Sequence, residues 1–395
     1  MDFKNYLVPG KTGLLIGIGG VSMSPLAEVL HDAGLDIRGS DMAESSNTLA
    51  LRERGIPIHI GHSADNVTDD ISFVIRTAAV HDDNPEVHEA HRRGIPVFER
   101  TQAWGALMRG YQNALCISGT HGKTTTTSMC THIMMAAEKD PTVMIGGTLP
   151  LLKACHRVGK GNTIIMESCE YYNSFLALNP TIAVVLNIEA DHLDFFKDLE
   201  DIKRSFRRFA ERVPVENGTV IANYDDANTM DALRGIERKV ITFGLNAKAD
   251  VYAQNIVHRG SVSEFDIYHR GNYFARVTLH VPGIHNVRNA LAATAAAIVL
   301  GVSPNAVKYG LAGFEGAGRR FDYKGKFQGA DLYDDYAHHP SELRALLDAV
   351  DTLNYQRSIV VFQPHTYSRT AKLFNDFVEQ LRRPTIVYLA EIYAA

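Results

Sequence analysis

Residues 117 to 128 read I-S-G-T-H-G-K-T-T-T-T-S. A lysine followed by hydroxyl side chains, just after two glycines, is the equipment for holding a polyphosphate. The common phosphate-loop pattern needs a glycine at 117, where this chain has Ile117. The glycines present are Gly119 and Gly122, which makes a shorter G-T-x-G-K-T turn. The turn follows an apolar run and precedes a helical pattern. In that setting backbone N–H groups converge on an anion and the helix N-terminus adds about half a positive charge. Lys123 would reach the terminal phosphates, and Thr124 or Thr125 would place a hydroxyl on Mg2+. A helix cap with a surface lysine is the plain alternative.

Other clusters sit at similar places. G-I-G-G-V-S-M-S (17–24) is a glycine turn in which Ser22 takes the third glycine position of the dinucleotide signature. Asp41 follows Gly19 by about 20 residues, where a ribose-binding acid belongs. These features fit a nucleotide without requiring a nicotinamide, and a nicotinamide-dependent oxidoreductase remains the rival reading of this turn. Glu167 and Glu170 in M-E-S-C-E-Y, and His192 in N-I-E-A-D-H-L-D, fall at the carboxyl ends of expected parallel strands, as ligands or orienters of Mg2+. Asn286 and Asn289 are three apart at a helix start, suited to capping or to a nucleotide. G-R-R-F-D (318–322), D-D-Y-A-H-H-P (334–340) and Q-P-H-T-Y-S-R-T (363–370) are polar clusters beside strand ends or junctions.

The elements that would position these groups alternate. Short apolar runs at 13–19, 35–41, 56–61, 71–77 and 95–99 are separated by helical patterns ending in glycine, which reads as βαβ units and a parallel sheet. Residues 100 to 114 read as a junction. A second series of strands starts at 114, with later members near 162, 181 and 218. The stretch 239–281 alternates apolar and polar residues between R-G-S and R-G-N turns, as a small attached antiparallel sheet would. An alanine-rich helix (287–300) closes this unit near 314. Strands at D-L-Y-D-D-Y, S-I-V-V-F and T-I-V-Y-L, with two helices between them, then give half of a doubly wound sheet. The expected units are 1–110, 111–314 and 315–395.

The chain has 395 residues, 45% hydrophobic and 22% charged, with a formal net charge of −5. That balance gives no electrostatic case for nucleic acid or an anionic membrane as main partner. The alanine-rich run is too short to span a bilayer, which needs about 20 apolar residues. Cys116, Cys130, Cys155 and Cys169 form no C-x-x-C pair, so neither a zinc site nor a disulfide framework is indicated and a reducing cytoplasm fits.

Taken together these motifs resemble the Mur ligases. G-T-H-G-K-T-T-T, N-I-E-A-D-H-L-D, G-I-H-N-V-R-N-A-L-A-A, G-R-R-F-D, D-D-Y-A-H-H-P and Q-P-H-T-Y-S-R-T occur in that family's order over essentially the whole chain. G-I-G-G-V-S-M-S points to the alanine-adding branch. The resemblance implies three α/β units: a Rossmann-like parallel sheet for a UDP-sugar, a central P-loop ATPase-type unit, and a partial Rossmann-like C-terminal unit. It implies ATP and Mg2+ as cofactors, and UDP-N-acetylmuramate and L-alanine as substrates joined through an acyl phosphate in peptidoglycan precursor synthesis. A sibling activity on another amino acid or a peptide, or a silent binder, are the alternatives. By the same resemblance Lys123, Glu170, His192, Arg320 and Asp335 are catalytic. Thr124, Glu170 and His192 hold the metal. Gly119, Thr120, His121, Gly122, Lys123, Thr124, Thr125, Asn286, Asn289, Arg320 and His338 meet ATP. Gly19, Ser22, Met23, Ser40, Asp41, His62, Thr77, His365 and Arg369 meet the substrate. The family's third unit usually continues for several more elements, which would complete its sheet and part of the alanine site.

Overall fold

In a computed structural model describing residues 2–77 and 79–394, the apolar runs of the first hundred residues form one parallel sheet. Its strands are β1 (Thr12–Ile16), β2 (Asp36–Asp41), β3 (Ile58–Ile60), β4 (Ile71–Arg76) and β5 (Val97–Glu99), in the order β3-β2-β1-β4-β5. The expected parallel sheet is therefore present. β1 is buried along its whole length because helices cover both faces, which is why it reads as a continuous apolar run.

The central sheet is larger. It comprises β6 (Asn113–Ser118), β7 (Thr142–Leu149), β8 (Ala154–Arg157), β9 (Thr163–Glu167), β10 (Ile182–Val185), β11 (Thr219–Asn223), β12 (Lys239–Gly244), β13 (Val251–Arg259), β14 (Val262–His269) and β15 (Asn272–Leu279). The order is β15-β14-β13-β12-β11-β10-β6-β9-β7-β8, with β6 between β10 and β9, both parallel to it. The antiparallel stretch is attached, as the sequence suggested, and forms one edge of this same sheet. A parallel step from β12 to β13, Phe243 beside Val251, joins it to the rest. Alternation of residue type shows that a strand has two unlike faces but not which edge it shares.

The helices Lys123–Ala136 and Ile284–Val299 belong to one core cluster, in which the alanines of the second helix are almost wholly buried. Small side chains let the two helices pack closely, which holds the start of the first helix against the start of the second.

The last segment departs from expectation. β17 (Ala330–Asp334) does not enter a parallel sheet; it forms a hairpin with β16 (Asp322–Phe327), a strand the sequence reading lacked. Gln328 and Gly329 both have positive φ, 49° and 86°, the two-residue turn that matches strand twist in a hairpin. β18 (Ile359–Phe362) and β19 (Ile386–Leu389) pair in parallel, with a further parallel bridge from His365 to Tyr393. The single helix expected between them is two, Tyr367–Lys372 and Phe374–Leu381, broken at Leu373.

Residues 100 to 114 are not merely a junction. Arg100–Met108 is a helix that buries Trp104 and packs on the 171–177 segment of the central unit. Asn179 donates to the carbonyl of Gly105 at 2.7 Å, and one apolar cluster runs from Phe3 and Phe73 through Trp104 to Phe206 and Phe209. The first two sheets are thus joined by a shared core. A Cβ on Gly105 would run into the backbone carbonyl of Ala177. Gly105→Ala is therefore expected to destabilise the chain by about 1–3 kcal/mol in urea unfolding. An unchanged midpoint would mean that this helix can back away at no cost.

Candidate active site around the phosphate loop

Ile117 lies inside β6, so the missing glycine of the longer pattern is a strand residue and the loop starts at Gly119. Gly119 has φ 148° and a Cβ there would stand 2.8 Å from Leu186 Cβ; Gly122 has φ 83° and its Cβ would stand 2.7 Å from Asn289 Oδ1. Both glycines are required by close approach as well as by backbone angle. The loop is pinned to the end of β10: Thr120 N–H donates to Asn187 O at 3.0 Å and His121 N–H to Asn187 Oδ1 at 2.8 Å.

Lys123 begins the helix and its ammonium folds back over the loop. It donates to Gly119 O (2.5 Å) and Thr120 O (3.1 Å) and pairs with Glu170 Oε2 at 3.0 Å. Burial alone would lower the lysine pKa, but Glu170, with Cys169 and Glu167 behind it, holds it above the usual value. Glu170 is 3% exposed and approaches His192 Nε2 at 3.8 Å. Thr124 donates to Glu167 Oε1 at 3.1 Å, and Gly146 N–H donates to the other oxygen of Glu167 at 2.7 Å. His192 has φ 51° and stacks on Tyr171, ring centroids 4.3 Å apart. Burial, the largest influence, lowers its pKa, so the neutral ring dominates at neutral pH.

Among the metal-ligand expectations, Glu170 and His192 are neighbours, while the Thr124 hydroxyl is taken by Glu167. Two carboxylates, a hydroxyl and a neutral imidazole are a donor set that fits Mg2+, which prefers oxygen. Among the described residues a second group, His121, Glu189 and His339, has ligand atoms within 4.8 Å of one another. Both nitrogens of His121 already face carboxylates, so a cation there would have to take the place of a proton.

A cleft of about 550 Å3 opens beside the loop, between the central unit and the last segment. Of the expected nucleotide residues, His121, Gly122, Thr124, Thr125, Asn286, Asn289 and Arg320 line it, as does Asp335. Asn286 donates to Pro282 O at 2.7 Å and Asn289 to Asn286 Oδ1 at 3.2 Å. Asp335 accepts N–H bonds from Phe321 and Ala337, yet burial raises its pKa to about 6. His338 bonds to Tyr336 O and faces Glu342 at 3.3 Å. Arg369 pairs with Asp191 at 2.9 Å and approaches His365 at 3.2 Å.

The expected sugar-side residues gather at the ends of β1 and β2. Gly19 N–H donates to Asp41 at 2.8 Å, and Ser22 accepts from Arg100 and, through its carbonyl, from Trp104. Met23 and Ser40 are wholly buried. Ser40 and His62 both meet Glu86, at 2.7 and 2.8 Å. Thr77 accepts from Ala79 N–H. Sequence reasoning missed Glu86, Glu189 and Glu342. Glu342 is the third residue of its helix, where a glutamate reads as part of a capping box, which it also is.

The Lys123–Glu170 pair generates a stability prediction. Lys123→Met leaves a buried carboxylate without its partner and should cost about 3 kcal/mol or more in urea unfolding. Adding Glu170→Gln should recover most of that loss. No recovery in the double variant would place the cost in loop packing instead.

Comparison with known proteins agrees with this geometry. Residues 15–112 match the model "Mur ligase family, catalytic domain", 117–297 the "Mur ligase middle domain", and 319–392 the "Mur ligase, glutamate ligase domain". A UDP-N-acetylmuramate–L-alanine ligase of Agathobacter rectalis is 46% identical, over 96% of this chain and 83% of that protein. One from Clostridium novyi is 45% identical, over 100% and 86%. The crystal structure of UDP-N-acetylmuramate–alanine ligase from Thermotoga maritima is similar at a TM-score of 0.79 and 31% identity, covering 97% of this chain and 85% of that one. With its phosphate loop, its cleft and these relatives in agreement, the chain belongs to the Mur ligase family.

Proposed function

We propose that this chain uses ATP to join L-alanine to the lactyl carboxylate of UDP-N-acetylmuramate, a step in making peptidoglycan precursors in the cytoplasm. The observation that carries this reading is the convergence of the phosphate loop, Asn286, Asn289 and Arg320 on one cleft. Relatives bearing that activity in their names match the chain almost end to end. In this reading residues 1–110 hold the UDP-sugar, 111–314 hold ATP, and 315–395 belong to the segment that closes over both.

A carboxylate resists attack by an amine because its carbon is shielded by delocalised negative charge. Transfer of the γ-phosphoryl group to a carboxylate oxygen gives an acyl phosphate and ADP. The free amine of alanine then attacks the acyl carbon, and phosphate leaves from the tetrahedral intermediate. The protein must bring two anions together, so positioning and charge neutralisation supply most of the rate. Lys123 turns from Glu170 toward the migrating phosphoryl group. Asn286, Asn289, Arg320, Asp335 and His338 orient the nucleotide. His365 and Arg369 approach the substrate carboxylates. The turn at Gly19, Ser22 and Met23, with Ser40, Asp41, His62 and Thr77, forms and supports the UDP site. Thr124, Glu170 and His192 would hold Mg2+, which neutralises phosphate charge when bound.

The test is phosphate release with ATP, Mg2+, UDP-N-acetylmuramate and L-alanine, each omitted in turn. Release should require all four, and glycine, L-serine or a tripeptide should substitute poorly. ATP binding without alanine-dependent release would sink the reading. Lys123→Ala should cut turnover at least about a hundredfold while UDP-sugar binding persists. Turnover within tenfold of the parent would remove the loop from the chemistry.

A further inference from the structure

His121 sits inside the phosphate loop, yet its side chain reaches across to the last segment. Its Nε2 lies 3.3 Å from Glu189 Oε2, on the loop after β10. Its Nδ1 lies 3.2 Å from Glu342 Oε1, on the helix Pro340–Asp351. Ser341, beside Glu342, donates to Glu189, so the contact is closed from both sides. Glu342 is held in place by N–H bonds from His338 (2.9 Å) and His339 (3.2 Å). A second seam lies close by. Arg369 pairs with Asp191, and Lys372 donates to Leu193 O at 2.7 Å. Both seams end on the residues 119–122 and 187–194, the loops that carry the expected phosphate and metal groups.

A neutral imidazole has one N–H and one lone pair. With a carboxylate at hydrogen-bond distance from each nitrogen, the neutral ring would point a lone pair at an anion. Only the doubly protonated ring satisfies both. Burial alone would lower the pKa of His121, but Glu189 and Glu342 together raise it to about 9, and Glu189 in turn falls to about 2. The charged groups facing this ring are Glu189 from the central unit and Glu342 from the last segment, with the His339 ring 4.9 Å away between centroids.

We propose that His121 is a positioning residue that fastens the C-terminal segment to the phosphate loop by bridging Glu189 and Glu342, and so sets how the two halves close on the nucleotide. The idea rests on the ATP-ligase reading of the cleft. It assigns the ring a task other than phosphate contact, because both ring nitrogens are committed and the backbone N–H is bonded to Asn187. It also gives Glu342, and the glutamate of N-I-E-A-D-H-L-D, Glu189, a shared task across the cleft.

The test compares His121→Gln, His121→Arg, Glu189→Gln and the His121→Gln/Glu189→Gln double variant in the full chain. Glu342 is left unchanged because it caps its own helix. Three readouts are taken: hydrogen exchange of amides 340–351, equilibrium ATP binding, and steady-state phosphate release. His121→Gln should speed exchange of that helix and lower kcat, each about tenfold, while ATP affinity stays within about threefold. His121→Arg, which keeps the charge, should restore most of both. The double variant should be little worse than His121→Gln alone. A tenfold loss of ATP affinity with unchanged exchange would overturn the proposal in favour of direct nucleotide contact. An arginine variant no better than glutamine would overturn the charge argument. Exchange that rises on adding a chelator would assign the cluster to a metal instead. The exchange readout needs no turnover, so a parent chain that released no phosphate would sink the ligation reading and leave this one standing or falling by itself.

Discussion

The ion pair between Lys123 and Glu170 is the constraint around which the central unit is arranged. The two residues follow different strands, β6 and β9, and meet because these strands are parallel neighbours with Ile117 beside Glu167. A charge buried this deeply is tolerated only when its partner is fixed. The sheet register, the two loop glycines and the fold-back of the lysine over Gly119 and Thr120 all serve that meeting. The same carboxylate borders His192, so one buried anion organises both the cation of the loop and the candidate metal donors.

The three parts of the chain are held together by different physics. The first and second sheets share an apolar core through Trp104 and Phe206, which a small charge cannot pry open. The last segment has a core of its own, built on Leu343, Phe362 and Phe377. Its ties to the central loops described above are polar: His121 with Glu342, Ser341 with Glu189, Arg369 with Asp191. Apolar contacts are non-directional and resist separation, whereas ion pairs can exchange partners when another charge arrives. A site that closed on substrate at the last segment would use that difference, since the polar seam can open and the apolar one cannot.

What could be read from the sequence was what lies consecutively in it. The loop 119–125 carries its glycines, lysine and hydroxyls in one run, and the structure adds only the reason for the spacing. Among the first strands, β1 and β4 were legible because burial leaves a nearly unbroken apolar run, and the others because glycine-ended helical patterns separate them. The hairpin of β16 and β17 was not. Its strands are mostly exposed, and its Gln328–Gly329 turn is a weaker signal than Asn-Gly. The helix Arg100–Met108 was hidden because it is buried on several sides and lacks a clean apolar stripe. The bridge from His121 to Glu342 spans 221 positions, and nothing at either end announces the other. A glutamate three residues into a helix satisfies a local rule, and a residue that obeys a local rule conceals any distant one.

Three cations at this site already have carboxylate partners: Lys123 with Glu170, His121 with Glu189 and Glu342, Arg369 with Asp191. In the proposed reaction a triphosphate and a lactyl carboxylate would bring several negative charges to the same few loops. They cannot simply add to those present, because like charges at close range in a partly dry cleft repel strongly. Substrate anions must therefore take over cations from protein carboxylates, and each exchange releases a constraint elsewhere. In that reading, freeing Arg369 would loosen the second seam, and freeing Lys123 would leave Glu170 available to a metal cation. His121 differs, because its two partners lie on opposite sides of the cleft and releasing either would separate the halves that must close. On electrostatic grounds the lysine and arginine can be exchanged to substrate, and the histidine is the cation that has to stay where it is.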